Sequence, residues 1–246
     1  MTSPALSLRQ QQHSLICQLA NAIEHLWDDR LTLAPYQIPE DLGYIESHLE
    51  GTRLIIENHC YQTPQFRKIH LELAHMDNGL DILHCVMFPR SNYPLPMFGC
   101  DIVAARGSVS AAIVDLSPIQ SDGRLPTQYS LALSQLPQVT FQDPRKLPEW
   151  GDIFSPFCMF IRPVDESENQ AFIQRVQYIL RIHCNIAKKI QPVLTTMEKE
   201  AIIAGQVYYC DRQRQNDKTR RVLEKSFGPE WTDRYMKTML FDMIAV

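Results

Sequence analysis

The sequence predicts an α/β protein, a three-layer α/β/α sandwich in which a central, mainly antiparallel sheet is flanked by helices on both faces. Three observations predict it. Apolar runs joined by short turns fill residues 44 to 116, and helical periodicity lies before them and after about residue 165. The runs are also apolar on both faces, whereas a sheet with one face in water would alternate. With 246 residues, 45% hydrophobic and 21% charged, the chain can bury a sizeable core, which argues against a disordered or fibrous protein. A single domain over residues 1–246 is expected, with 1–14 as a poorly ordered N-terminal extension.

Each element follows from local chemistry. Ser14 to Trp27 carries Ile16, Leu19, Ile23 and Leu26 at three- and four-residue intervals, one apolar stripe of an amphipathic helix. Tyr44 to Leu49, Arg53 to Gln62, Phe66 to His75 and Leu80 to Phe88 then read as strands. They are separated by Glu50-Gly51-Thr52, Thr63-Pro64 and Asp77-Asn78-Gly79. Met97 to Ala105 and Val109 to Leu116 continue the meander around Arg106-Gly107-Ser108, and connectors this short imply antiparallel neighbours. Phe157 to Pro163 is a further candidate strand. Helices follow over Ala171 to Ile190 and Thr195 to Cys210, with Ser167-x-x-Gln170 and Thr195-x-x-Glu198 as capping boxes. Asp217 to Phe227 and Pro229 to Phe241 close the chain, with Gly228 as a stop and Pro229 as a start.

Composition narrows the function. Lys and Arg number 24 against 28 Asp and Glu, a net charge of −4 that does not suit a nucleic-acid binder. No apolar run is long enough for a membrane span and no secretory signal opens the chain, so a cytoplasmic protein is expected. The seven cysteines are scattered with no Cys-x-x-Cys pair, which speaks for a reducing compartment and against a zinc or iron–sulfur site. A phosphate loop, a Gly-x-Ser-x-Gly elbow and a His-Glu-x-x-His motif are all missing from the sequence.

The residues that do not belong in a core are His70 and Glu72, then His84, then Asp101, all written into apolar strands. Buried ionisable groups are costly unless paired or employed. A three-residue loop at Asp77-Asn78-Gly79 puts Glu72 opposite His84 on one face; a two-residue loop would separate them. Asp101 stands in Phe98-Gly99-Cys100-Asp101-Ile102-Val103, where an apolar pocket would make a carboxyl a proton donor near neutrality. The alternative is that it merely bonds a buried backbone group. Asn216-Asp217-Lys218-Thr219-Arg220-Arg221, with Lys225 beyond, is the most concentrated positive charge in the chain. It reads either as a solvated helix capped by Asp217 or as a dock for an acidic partner.

Several long runs resemble one family, the ferredoxin-dependent bilin reductases. They are Leu42-Gly43-Tyr44, Glu57-Asn58, Cys60 through Lys68, Leu80 through Pro89, Phe98 through Val103 and Asn216 through Lys225, and the likeness extends from about Leu15 to the C-terminus. The resemblance implies an α/β/α sandwich that reduces biliverdin IXα to phycocyanobilin with single electrons from reduced ferredoxin, with no metal or flavin bound. It implies catalytic roles for Asp101, His84, Glu72 and His70. It places Ser110, Arg145, Asn216 and Lys218 at the substrate, with Arg145 suited to a propionate. Lys218, Arg220, Arg221 and Lys225 become the expected ferredoxin dock on a monomeric protein. Rival readings are a bilin reductase with another product, a bilin carrier that does no chemistry, and a plain interaction module.

Overall fold

The computed structural model describes residues 7–49 and 51–242. Eight strands form one sheet: β1 (Ala34–Pro35), β2 (Tyr44–Leu49), β3 (Thr52–Gln62), β4 (Phe66–Met76), β5 (Leu80–Pro89), β6 (Met97–Ala105), β7 (Ser108–Ser117) and β8 (Met159–Ile161). Their order is β1-β3-β4-β5-β6-β7-β8, with β2 also on β3, and every pairing is antiparallel. The helices are α1 (Leu8–Gln11), α2 (Ser14–Arg30), α3 (Thr127–Ser134), α4 (Glu166–Ala187), α5 (Thr196–Gln213), α6 (Asp217–Phe227) and α7 (Pro229–Tyr235).

Two cores sit on the two sides of the sheet, which makes the sandwich three-layered. On one side Leu15, Ile16, Leu19, Ile23 and Trp27 of α2 pack with Phe172, Val176, Ile179 and Leu180 of α4 against Leu71, Leu73, Leu83, Cys85 and Ile102. On the other, Ile202, Tyr209 and Cys210 of α5, Leu223 of α6 and Tyr235 of α7 cover Ile56, Ala74, Met76, Val86 and Phe88. Fully burying an apolar side chain of this size stabilises the fold by about 1.5–3 kcal/mol. The sequence reading put α2 alone opposite the C-terminal helices; α4 instead joins α2, because its apolar stripe matches the same sheet face.

The turn that sets the site's register is the three-residue one. Gly79 has φ +85°, a conformation that favours glycine, and its N–H bonds Met76 O at 2.8 Å. Met76 therefore pairs with Leu80, and Glu72 with His84.

Three differences from the sequence reading have local causes. The expected capping box at Ser167 is displaced, since α4 begins at Glu166 and is capped by Asp165, whose carboxylate accepts Glu168 N at 2.8 Å. The Thr195 and Glu198 box forms as expected. The last helix ends early at Tyr235 and widens into a π-helical turn, Met236–Leu240, where Lys68 Nζ takes the carbonyls of Thr238 and Met239 at 3.2 and 2.8 Å. Of the extension expected over residues 1–14, residues 1–6 lie outside the described residues, while the part that follows packs on the sheet: Leu8 is buried, and Gln12 donates to Ala74 O at 2.9 Å. The expected turn residue Glu50 lies outside the described residues.

Candidate active site

Antiparallel register sets four polar side chains in one line across the sheet. Asn58 pairs with Glu72, Glu72 with His84, and His84 with Asp101, with Ile113 next in the row. Residues paired across neighbouring strands share a face, and this face is the one under α5 to α7. His70, two residues before Glu72 on β4, shares it.

The row is bonded from end to end except at its middle. His84 Nδ1 lies 2.5 Å from Asp101 Oδ1. On the other side Tyr235 Oη is 2.5 Å from Glu72 Oε2 and 3.0 Å from Asn58 Oδ1. His70 Nε2 meets the same Asn58 oxygen at 2.7 Å, while Asn58 Nδ2 donates to Leu42 O at 2.7 Å. His70 and His84 stand edge to face, ring centres 6.0 Å apart, and His70 Nδ1 and His84 Nε2 are buried with no hydrogen-bond partner among the described residues.

Burial decides the charge states. It pushes the Glu72 carboxyl up, and the positive charge of His84 and the Tyr235 hydroxyl only partly offset this. It drives His70 well below its ordinary range, helped by the charges of Lys68 and His84, so His70 is neutral. Burial also opposes the His84 imidazolium, yet the charge and hydrogen bond of Asp101 together with the charge of Glu72 outweigh it, and His84 titrates above its usual value. The site thus sets side by side a carboxyl that burial makes harder to ionise and an imidazole that its carboxylate partner makes easier to protonate.

Asp101 is not enclosed in the way the sequence reading expected. Its side chain is 38% exposed, and the deeply buried acid is Glu72 instead. Around Asp101 the strand residues Ile82, Val103, Ala111 and Ile113 are only half-buried. They form an open apolar floor beside the polar row. Next to Asp101 the row is covered: Phe241 stands edge-on to His84 at 5.5 Å, and Asp242 is held by Arg67 at 2.7 Å and by the wholly buried Lys68 at 3.1 Å.

The remaining expected residues fall in three places. A bulge between Val103 and Ala104 leaves Ser110 outside the ladder, and Arg145 Nη1 donates to Ser110 O at 3.2 Å, so these two are neighbours at the floor's far edge. Asn216 caps α6 through Lys218 N at 3.3 Å, and among the described residues no hydrogen bond or ion pair joins Asn216 or Lys218 to the row; the cap expected of Asp217 falls to Asn216. The basic face is smaller than its sequence suggests. Arg220 is bound to Asp233 at 2.6 Å and Glu224 at 3.3 Å, and Arg221 to Asp217, which leaves Lys218 and Lys225 as exposed cations without an ion-pair partner among the described residues. A separate groove of about 730 Å³ runs along the β8 edge past Phe141, Arg145, Ile161 and Arg175, away from the row. No cluster of metal-ligating side chains occurs among the described residues.

Asn58, Tyr235 and Phe241 were not singled out from sequence. Asn58 carried the only readable signal, a carboxamide inside an apolar strand. Tyr235 reaches it from 177 positions away, a separation that no local pattern encodes.

Fold and site together define a class of protein: a sandwich that holds polar and titratable side chains in a line beside half-buried apolar strand residues. The chain belongs to the ferredoxin-dependent bilin reductase family, whose model matches residues 20–242. It is 58% identical to the phycocyanobilin:ferredoxin oxidoreductase of Trichodesmium erythraeum over 94% of each chain. It is 53% identical to that of Synechococcus elongatus over 98% of each. The fold is also that of tomato phytochromobilin synthase, solved in complex with biliverdin; the TM-score is 0.75 at 14% identity, over 92% of this chain and 82% of that one. Ferredoxin is accordingly the electron donor, supplied from outside the chain. No helix among the described residues is long and apolar enough to cross a membrane.

Proposed function

We propose that this chain reduces biliverdin IXα to phycocyanobilin with electrons taken one at a time from reduced ferredoxin. The observation that carries the reading is the line of Glu72, His84 and Asp101 beside an apolar floor open to a planar ligand. The names of the two close relatives agree with it. Each electron that enters a conjugated tetrapyrrole raises its basicity, so a proton must come from a positioned acid, and the acid's place decides which carbon is reduced.

Asp101 and His84 supply the proton at the open end, where their 2.5 Å hydrogen bond lets it pass between them. Glu72 is the second acid, kept neutral by burial until a basic reduced bilin draws its proton. His70 is a neutral donor that fixes the Asn58 carboxamide. Ser110 and Arg145 bind a propionate at the far edge of the floor, and Lys218 and Asn216 close on the substrate from α6. Ferredoxin docks on the face of Lys218 and Lys225, with Arg220 and Arg221 giving shape more than charge. The protein works as a cytoplasmic monomer that binds no metal or flavin of its own; the bilin carries the unpaired electron.

The test is anaerobic mixing of the protein and biliverdin with reduced ferredoxin, followed by absorption and by chromatography of the pigment. Transient radical absorption ending in phycocyanobilin supports the reading. Another reduced bilin would overturn the product assignment, and tight binding with an unchanged spectrum would make the protein a carrier.

A further inference from the structure

Three polar side chains around Glu72 carry fewer hydrogens than contacts if Glu72 is ionised, and the right number if it is neutral. Leu42 O can only accept, so the Asn58 atom facing it at 2.7 Å is the amide nitrogen, and Oδ1 faces His70 and Tyr235. Asn58 Oδ1 is an acceptor, so His70 Nε2 carries the hydrogen of that bond. Tyr235 then has one hydroxyl hydrogen for two oxygen neighbours, Asn58 Oδ1 at 3.0 Å and Glu72 Oε2 at 2.5 Å. With the hydroxyl hydrogen on Asn58, the shorter contact needs a hydrogen of its own. Only Glu72 can bring it.

We propose that Tyr235 is a two-way positioning residue for Glu72: its hydroxyl accepts from the neutral carboxylic acid while donating to Asn58, and turns to donate to the carboxylate once the proton has left. The turn breaks no covalent bond. The proton goes from Glu72 to the reduced bilin, the electron has come from ferredoxin, and the hydroxyl hydrogen swings from Asn58 Oδ1 to Glu72 Oε2. Asn58 keeps its bond from His70, so every buried group stays satisfied in both states. A charge-assisted bond forms only after proton release, so Tyr235 favours the release itself.

The surroundings hold the hydroxyl in place for this. Tyr235 is fully buried and stacks on Trp231 at 4.8 Å and 12°, which in turn stacks on Phe227 at 4.0 Å, so the ring is fixed and only its O–H rotates. The charged and titratable groups facing Glu72 are His84 and Asp101 across the sheet, Cys60 from β3, and Lys68 and His70 on its own strand. None is hydrogen-bonded to Glu72, so Tyr235 is its only direct partner among the described residues.

The proposal rests on the bilin-reducing role of the site, and its test separates the two. Infrared spectra of the resting protein without bilin should show a neutral carboxylic acid band that is absent in Glu72→Gln. In Tyr235→Phe that band should move to higher wavenumber, since one hydrogen bond is lost and the ring stack is kept. In turnover the same variant should keep its KM for bilin while kcat for the Glu72-dependent reduction falls about 10-fold or more, the scale of one hydrogen bond to a charged group. Absence of a neutral-acid band from the unsubstituted protein would overturn the proposal, and so would a band that Tyr235→Phe leaves unmoved. Failure of the proposed reaction would show instead as missing product from the unsubstituted protein.

Discussion

Replacing Asp101 with Asn should make His84 easier to deprotonate, and the size of the change can be worked from the site. His84 is buried, and burial alone would depress its proton affinity. What reverses this, first among the opposing causes, is the Asp101 charge 2.5 Å from Nδ1. A hydrogen bond between charged groups contributes about 1.5–3 kcal/mol, and Asp101, at 38% exposure, is screened by solvent, so the lower end applies. That is about 1.4 kcal/mol, one pH unit. The carboxamide oxygen that Asp101→Asn introduces can still accept the Nδ1 hydrogen, so geometry is kept while the charge is lost.

The sign follows from linkage. A histidine whose folded value is raised adds stability that is full below its unfolded value, about 6.5, and is lost as pH rises through the folded value. The stability of the unsubstituted protein relative to Asp101→Asn should therefore be greater near pH 5 than near pH 9, by about 1.4 kcal/mol. His70 titrates in the opposite sense, neutral in the fold and costly at low pH, but its contribution is common to both proteins and cancels. Urea unfolding of both proteins across this range measures the difference, and nitrogen-15 spectra of the imidazole report His84 directly. A stability difference that does not vary with pH, or a His84 no easier to deprotonate in the variant, would refute the reasoning.

Two further perturbations read other parts of the structure. Asp115 is wholly buried and accepts from Ser155 N, Ser155 Oγ and Ser117 Oγ at 2.6 to 2.9 Å; Asp115→Ala strands these donors and should cost about 3 kcal/mol, a fall in Tm of roughly 6–12 °C in thermal unfolding. Burial pushes its carboxyl up to about 6, so its contribution to stability is full below about 4 and is lost as pH rises through 6; Asp115→Asn should flatten that slope in denaturation curves. At the docking face, Lys218→Glu with Lys225→Glu should raise the KM for ferredoxin severalfold and weaken its dependence on ionic strength, while Arg221→Gln, removing a cation already paired with Asp217, should change it less.

Much of the site was legible because it is written in turns and strands. The Asp77-Asn78-Gly79 loop and the period of two along β4 and β5 place Glu72 opposite His84 with no tertiary knowledge, whereas the register that sets Asp101 opposite His84 follows a longer loop, from Pro89 to Met97, and comes from the structure. The opening beside Asp101 was not legible, since it depends on tertiary packing. The basic face read as larger than it is for a related reason: the acids that neutralise Arg220 and Arg221 are a helix turn or a helix away, and sequence counts charges without pairing them. Helix α3 went unread because its apolar positions, Tyr129 and Leu133, make one short stripe that reveals itself only against α4, where Tyr129 Oη meets His183 Nδ1 at 2.9 Å.

The central claim is that protons for the bilin come from separate acids in this row, each serving its own reduction. The most direct measurement is chromatography of the pigments formed anaerobically from biliverdin by the unsubstituted protein and by Glu72→Gln, side by side with the same reduced ferredoxin. The account predicts phycocyanobilin from the first and a partly reduced bilin that accumulates from the second. Phycocyanobilin from both, formed at the same rate, would contradict it.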